Sequence, residues 1–266
     1  MIYLFTKRMF SNARYLIISI LVVLFSINAN AQSAKKIVDK YTKRNALGIR
    51  NGVANLKMIT KDKKGRSKNR DLVLKVYEKG NDKANHIFIK SPANLKGTAL
   101  LYREDIKSNS SQMHMYLPEF GKTRRIGDGQ KKSAFVSSDF TYGDLDGSYF
   151  KGAKLKRLKD KTVAGFPCYH IKVTPLKKYT RAKTINLLIR KDSYLADNIL
   201  FKDKKGETYK EFKLLKWEKE ASQWIATQSQ MWNKKKGSVT AVAITSIDSK
   251  KVLRLNDFTP ERIKYE

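Results

Sequence analysis

The sequence contains a single cysteine, Cys168, among its 266 residues. One thiol cannot form a disulfide within the chain, so the fold must be held together by packing. Zinc sites built from two or four cysteines are excluded for the same reason. The chain also has no cysteine near residue 31, where a bacterial lipoprotein would carry its lipid. We therefore expect a protein without a lipid anchor.

Long hydrophobic runs are missing as well. The apolar run at residues 16–27 has twelve residues, whereas a membrane-spanning helix needs about 20. Three basic residues and no acidic ones precede this run, and a small-residue pattern follows it at residues 29–31. This arrangement is typical of a secretory signal peptide. We expect residues 1–31 to be a cleaved signal peptide, residues 32–266 to form a single domain, and the mature protein to be soluble in the periplasm.

Acidic residues are scarce: 24 stand against 56 lysines and arginines, which gives a formal net charge of +32. In a cytoplasmic protein this excess would indicate nucleic-acid binding. In an exported protein we expect no nucleic acid. The expected binding partner of the positive charge is an anionic membrane surface, a lipid headgroup or lipopolysaccharide. The alternative is that the lysines merely solvate the outer faces of strands.

Two periodicities predict the secondary structure. Residues 33–41 read as a short amphipathic helix with Ser33 as its N-cap. From Gly52 onward apolar and polar residues alternate, as around Met113 and Met115, and this period of two is typical of strands. Asp-Lys-Lys-Gly, found at residues 62–65 and 203–206, predicts tight hairpin turns. Strands are expected near residues 52–60, 69–78, 84–90, 97–103, 112–118, 122–127, 154–160, 167–174, 184–191, 196–202, 207–217, 224–233 and 238–247.

One interval, residues 127–152, breaks the strand pattern. Large apolar side chains are scattered through it among glycine, serine and aspartate. A connection of this length is usually functional or disordered, and this one is too apolar for disorder. We expect residues 133–149, together with the N-terminal helix, to cap the sheet. The predicted fold is mainly β with a few short helices: a curled antiparallel sheet that forms a half-open barrel capped by helices.

Several motifs resemble the LolA-like outer-membrane lipoprotein-sorting proteins. They are Gly97-Thr98-Ala99-Leu100-Leu101, Met115-Tyr116-Leu117-Pro118, Arg124-Arg125-Ile126, Ser138-Asp139-Phe140-Thr141-Tyr142-Gly143-Asp144-Leu145, Gly165-Phe166-Pro167-Cys168-Tyr169 and Phe258-Thr259-Pro260. The resemblance covers most of the chain after residue 31. It implies a half-barrel of antiparallel strands, closed by short helices, with a hydrophobic cavity for the acyl chains of lipids or lipoproteins. The missing lipid anchor fits the soluble carrier and not its anchored acceptor.

The candidate site is a dry apolar surface under a cap. An acyl chain gains about 0.8 kcal/mol per buried methylene, so a carrier must offer such a surface to compete with a bilayer. Methionine adds flexible surface that repacks around a variable guest. The predicted cavity and lid residues are Leu101, Met113, Met115, Leu117, Phe135, Phe140, Tyr142 and Leu145.

Arg124 and Arg125 stand just before the cap. A guanidinium there could hydrogen-bond the backbone of the cap or engage an anionic headgroup. The alternative is a basic strand end that faces solvent. Only one of the two can point inward, because neighbouring residues of a strand alternate between its faces.

The expected function is a monomeric periplasmic carrier that binds acyl chains of lipoproteins or phospholipids and shuttles them toward the outer membrane. Membrane-bound donor and acceptor proteins are the expected partners, and neither a cofactor nor a metal is expected. One alternative is a protein that senses envelope lipids or lipoproteins without transporting them. Another is a basic protein that adheres to anionic surface polymers, with Trp217, Trp224 and Trp232 as interfacial anchors.

An enzyme is the least favoured interpretation. Asp139, Asp144 and Asp146 cluster in the cap, but their spacing matches neither a calcium loop nor a zinc site. We expect them to cap turns and helices. Cys168 is flanked by proline and tyrosine on a predicted strand and is expected in the core. The sequence has no nucleophile elbow and no phosphate-binding loop.

Overall fold

The computed structural model describes residues 32–43, 46–105, 110–220 and 222–266. The predicted signal peptide, residues 1–31, lies outside these ranges. Helix α1 (Ala34–Thr42) begins after Ser33, whose hydroxyl accepts a hydrogen bond from the Lys36 backbone N–H at 3.2 Å. The predicted N-terminal helix and its cap are therefore confirmed. None of the described helices is long and apolar enough to cross a membrane.

The described residues contain thirteen strands, each close to its predicted position. They are β1 (Gly52–Lys61), β2 (Ser67–Lys79), β3 (Asp82–Ser91), β4 (Ala99–Asp105), β5 (Ser110–Leu117), β6 (Lys122–Arg125), β7 (Lys154–Val163), β8 (Phe166–Thr174), β9 (Thr184–Arg190), β10 (Ala196–Lys202), β11 (Thr208–Glu220), β12 (Gln223–Asn233) and β13 (Ser238–Asp248). Both Asp-Lys-Lys-Gly turns form as predicted. In each, the aspartate carboxylate accepts N–H bonds and the glycine takes a positive φ, 81° at Gly65 and 84° at Gly206.

All thirteen strands form one antiparallel sheet in the order β6-β5-β4-β3-β2-β1-β13-β12-β11-β10-β9-β8-β7. The first and last strands pair at its centre, so both edges, β6 and β7, come from the middle of the chain. The sheet is not closed into a barrel. The connection between the two edges is residues 126–153, which we call the lid. It contains a 3-10 helix (Asp128–Lys132), α2 (Tyr142–Asp146) and a second 3-10 helix (Ser148–Phe150).

The sheet buries a different cluster on each face. The inner cluster joins side chains from both halves of the sheet, such as Met113 of β5 and Ile171 of β8, with α1 and the lid. A sheet whose distant strands share one core must curve around it, so the predicted fold class is confirmed. On the outer face, Phe258 and Ile263 of the C-terminal segment cover a second, smaller cluster on β2, β3 and β4.

His86 ties the C-terminal segment to the outer face. Its Nε2 donates to the Ile263 carbonyl at 2.8 Å, and the side chain is buried. Burial disfavours the charged imidazole and lowers the pKa of His86 to about 4. The segment is therefore held by a histidine that must stay neutral.

This histidine predicts a loss of stability in mild acid. Between pH 6.5 and pH 4 the unfolded chain binds the proton and the folded chain does not, so the free energy of unfolding falls as the pH falls through that window. With the pKa of His86 at about 4, the full loss is about 3 kcal/mol below pH 4. Chemical denaturation across this range measures it. His86→Gln, which keeps a side-chain donor but does not titrate, should have the shallower pH slope, and equal slopes would contradict the assignment.

Candidate binding site under the lid

The underside of the lid is aromatic and packs on the inner face of the sheet. Phe135 is 1% exposed, and its ring meets Tyr142 edge to face, with the centroids 6.1 Å apart. The Tyr142 hydroxyl lies 3.2 Å from the Met115 sulfur, so lid and sheet touch at a predicted site residue. Near α1, the rings of Tyr149 and Phe150 of the lid are in tilted contact, with their centroids 4.5 Å apart, and Phe150 meets Tyr41 edge to face. The lid thus covers the inner face with its own side chains.

A small apolar cavity remains beneath the lid. Its volume is about 100 Å³. Sheet residues such as Met58 and Phe212 form one wall, and Phe135, Phe140 and Leu145 of the lid form the other. An apolar cavity of about 150 Å³ holds one benzene molecule, so this one is too small for an acyl chain. The inner face can accept such a chain only when the lid moves away.

The structure places seven of the eight predicted cavity and lid residues in or against the inner cluster. Leu101 is the exception and requires a correction. It faces the outer cluster with Phe88 and Phe258, whereas its neighbour Leu100 faces the inner cluster. The residues that do gather at the inner cluster are Met113, Met115, Leu117, Phe135, Phe140, Tyr142 and Leu145.

Several polar contacts hold the lid in place, and we call three of those with the sheet the Asp139, Asp144 and Arg70 anchors. At the Asp139 anchor, the buried carboxylate accepts hydrogen bonds from the hydroxyls of Ser238, at 2.6 Å, and Thr240, at 2.8 Å. The backbone N–H of Asp139 also donates to the Thr240 hydroxyl. Because both hydroxyls belong to β13, this anchor ties the lid to the centre of the sheet.

The Asp144 anchor is a buried ion pair. Lys210 of β11 approaches the Asp144 carboxylate to 2.6 Å, and both side chains are almost fully buried. The same carboxylate accepts the backbone N–H of Thr141 and so caps α2. A second buried pair, Lys131 with Asp146 at 2.6 Å, lies within the lid. Removing one partner of such a pair leaves an uncompensated buried charge, which is strongly destabilising.

At the Arg70 anchor, a guanidinium from β2 donates to the Val136 carbonyl at 2.7 Å. It stabilises a strained turn, because Val136 and Ser137 both take positive φ, 40° and 58°. Such values are unfavourable for any residue except glycine, and above all for a β-branched one. The backbone of the lid is therefore held by Arg70, an arginine that the sequence analysis did not single out.

Arg124 and Arg125 do not take the predicted role at the lid backbone, which Arg70 fills instead. Both side chains are exposed on edge strand β6. Arg124 pairs with Met115 and Arg125 with His114, so Arg124 is the one on the inner side of the sheet. Within the described ranges, neither arginine forms a hydrogen bond with the lid. An interaction with an anionic headgroup stays a prediction.

The candidate catalytic groups have structural partners instead. Asp139, Asp144 and Asp146 bind hydroxyls, backbone N–H groups and buried lysines, as described above. Burial raises the pKa of the Cys168 thiol to about 11, so this thiol stays protonated and unreactive at neutral pH. In the part of the chain that the structure describes, no group of three or more His, Cys, Asp or Glu side chains is placed to hold a metal ion.

Two of the three tryptophans, Trp217 and Trp224, pack partly buried against the inner cluster, and the third is exposed. Trp217 is partly buried, with its ring edge to face with Phe166 and stacked on the Arg190 guanidinium at 3.8 Å. Trp232 alone is well exposed, at 45%. They do not form one interfacial patch.

Known structures share this fold. A domain from Vibrio parahaemolyticus, named for outer membrane lipoprotein sorting, matches with a TM-score of 0.76 and 23% identity over 86% of this chain and 97% of that one. A DUF1329 family protein from Desulfovibrio piger matches with a TM-score of 0.74 and 21% identity over 88% of this chain and all of the other. A LolA superfamily protein from Nitrosomonas europaea matches with a TM-score of 0.65 and 17% identity over 86% and 98%.

Sequence comparisons are more limited. A search of curated proteins found no match to this chain. A family model with the description "Uncharacterized protein" matches residues 81–265, which is more than half of the chain and includes the lid. The chain therefore belongs to that family, and its fold is that of the LolA-like proteins.

Proposed function

We propose that this protein binds the acyl chains of lipoproteins or other envelope lipids between its curved sheet and its lid, and carries them through the periplasm toward the outer membrane. The observation that supports this most directly is the aromatic lid. It covers an apolar inner face through side chains that a hydrocarbon could replace, around a cavity of about 100 Å³. The name of the Vibrio parahaemolyticus domain points to the same class of cargo.

The lid and the acyl chain compete for the same surface. Each buried methylene contributes about 0.8 kcal/mol, so a long chain can offset the loss of a few aromatic contacts. The apparent dissociation constant equals the intrinsic one divided by the fraction of molecules with an open lid. A lid held by aromatic contacts and polar anchors, and not by strand pairing, can stay closed when empty and open when a lipid arrives. The closed form also hides an apolar patch that would otherwise promote aggregation.

The cellular setting of the proposal comes from the sequence. Residues 1–31 direct export and are removed, and residues 32–266 work as one monomeric domain in the periplasm. Membrane-bound proteins load and unload the cargo. The exposed lysines, part of a net charge of +32, favour approach to anionic membrane surfaces.

The proposal is tested by lipid loading and transfer. The exported protein, purified from its own envelope, is expected to carry copurified lipid in native mass spectrometry and to pass a fluorescent phospholipid between vesicles. Binding without transfer would favour a sensor, and binding that needs no acyl chain would favour a basic polymer-binding protein.

A pair of matched variants locates the binding surface. Leu145→Gln places an amide in the cavity wall and should weaken binding of a fluorescent fatty acid about tenfold, because a buried leucine contributes about 1.5–3 kcal/mol. Leu215→Gln makes the same change at an exposed position outside that wall and should bind normally. Equal affinities of the two variants would contradict binding under the lid.

A further inference from the structure

A second, larger cavity lies at the side of the lid. Its volume is about 620 Å³, within the range of about 300–1,000 Å³ that is typical of small-molecule sites. Residues of the lid form one wall, and the ends of β10, β11 and β12 with the segment before β9 form the other. Unlike the apolar cavity, this one is lined by charged and polar side chains.

The charge of this cavity is positive. Five cations and only two carboxylates line it. Both carboxylates already accept hydrogen bonds, Asp139 from two hydroxyls of β13 and Asp203 from the backbone N–H groups of its own turn. Of the cations, only Lys210 pairs with a carboxylate among the described residues. The five cations that line the cavity are Lys132, Arg181, Lys210, Lys235 and Lys236.

Neutral donors complete the lining. Ser133, Thr180 and Tyr209 line the same cavity, as does Thr141, whose hydroxyl donates to the Asp144 carboxylate at 2.8 Å. Burial raises the pKa of Tyr209 to about 12, so its hydroxyl keeps its proton and can donate at neutral pH. Cations with hydroxyl donors around them suit a phosphate group, which presents several strong acceptor oxygens and negative charge.

The polar cavity adjoins the apolar one through a single ion pair. Lys210 lines the polar cavity, Asp144 lines the apolar cavity, and Lys210 Nζ lies 2.6 Å from Asp144 Oδ2. An amphiphile with a charged head and a hydrocarbon tail could therefore place one part on each side of this pair. A phosphate in the polar cavity would also compete with Asp144 for Lys210 and so weaken one anchor of the lid.

We propose that the polar cavity is a binding site for the net-anionic phosphate headgroup of a lipid whose acyl chain lies under the lid. This inference rests on the proposed function and adds to it the class of headgroup. It predicts that the protein binds anionic phospholipids or phosphorylated lipids more tightly than zwitterionic ones. A free phosphate compound shares the headgroup chemistry, and the experiment separates the two sources.

The test measures binding of three probes to the exported form of the protein by calorimetry at 150 mM salt, where long-range attraction is screened. The probes are dihexanoyl phosphatidylglycerol, dihexanoyl phosphatidylcholine and glycerol 3-phosphate. The double variant Arg181→Gln/Lys235→Gln removes two exposed cations of the cavity. The matched control Lys156→Gln/Lys172→Gln removes the same charge from an exposed cross-strand pair on β7 and β8, outside the cavity.

We expect phosphatidylglycerol to bind at least tenfold more tightly than phosphatidylcholine, and the cavity variant alone to lose that preference. Equal binding of the two lipids by the native protein would overturn the headgroup site while leaving the acyl-chain proposal standing. An equal loss in both double variants would overturn it too, because the preference would then come from the overall charge. If glycerol 3-phosphate bound as tightly as the lipid and only the cavity variant lost it, the phosphate site would stand and the acyl-chain proposal would fail.

Discussion

Replacing Lys210 with methionine is expected to lower the free energy of unfolding by about 3–5 kcal/mol for as long as the lid stays closed. The reason is that the Asp144 carboxylate, in a nearly fully buried position, would lose its partner at 2.6 Å. The methionine keeps an apolar stem beside the Phe201 ring, over which the Lys210 ammonium lies at 4.2 Å. The loss therefore reports on charge and not on packing.

Local opening of the lid can reduce the cost of the unpaired carboxylate in this variant. If releasing the lid costs less than holding an unpaired carboxylate, the molecule opens locally and the carboxylate reaches water. We therefore expect faster amide hydrogen exchange in the lid than in the strands at the centre of the sheet. A fluorescent fatty acid should bind more tightly by the same factor by which the open fraction rises.

A double variant distinguishes the effect of the unpaired Asp144 carboxylate from nonspecific destabilisation by the substitution at Lys210. Asp144→Asn retains an oxygen that can accept the Thr141 N–H and so keep the cap of α2. Combined with Lys210→Met, it removes the unpaired charge and should restore most of the lost stability. No restoration in the double variant, or unchanged exchange in the lid of Lys210→Met, would show that the pair does not hold the lid.

The sheet could be predicted from the sequence because its signals are local. Alternation and turn residues together predicted all thirteen strands, and Asp-Lys-Lys-Gly marked two hairpin turns correctly. The lid interval could be recognised because it was too apolar for a loop and too irregular for a strand. In each case the residues that decide the structure lie within a few positions of one another.

The anchors of the lid could not be predicted because their partners are far apart in the chain. Arg70 and Val136 are 66 positions apart, and so are Asp144 and Lys210. One signal was available: Arg70 and Lys210 stand in phase with apolar residues that face inward, such as Leu72 and Phe212. A charge on an apolar row of a strand must find a buried partner, but alternation does not name that partner.

The face of a residue was also hard to predict where both rows of a strand are apolar. In β4, Leu100 and Leu101 are equally hydrophobic, so alternation separates them without showing which one lies inside. The outer row is apolar because the C-terminal segment covers it with Phe258 and Ile263. That coverage depends on residues more than 150 positions away from Leu101, and it explains the misplacement of this leucine in the sequence-based site.

The two apolar faces permit a direct test of which one receives the lipid. Phe135 under the lid and Phe258 in the C-terminal segment are both phenylalanines with 1% exposure, but they lie on opposite faces of the sheet. Replacing either one with alanine should lower the free energy of unfolding by about 3–5 kcal/mol. A difference in lipid binding between the two variants then cannot be attributed to a difference in stability.

Only Phe135→Ala is expected to improve binding. The missing ring would enlarge the existing cavity of about 100 Å³ and weaken the packing of the lid, so a fluorescent fatty acid should bind at least tenfold more tightly than to the native protein. Phe258→Ala should bind as the native protein does, because its ring covers the other face. Titrations at matched protein concentration measure both. If Phe258→Ala gained affinity and Phe135→Ala did not, the lipid would belong on the outer face, and the lid would have no part in binding it.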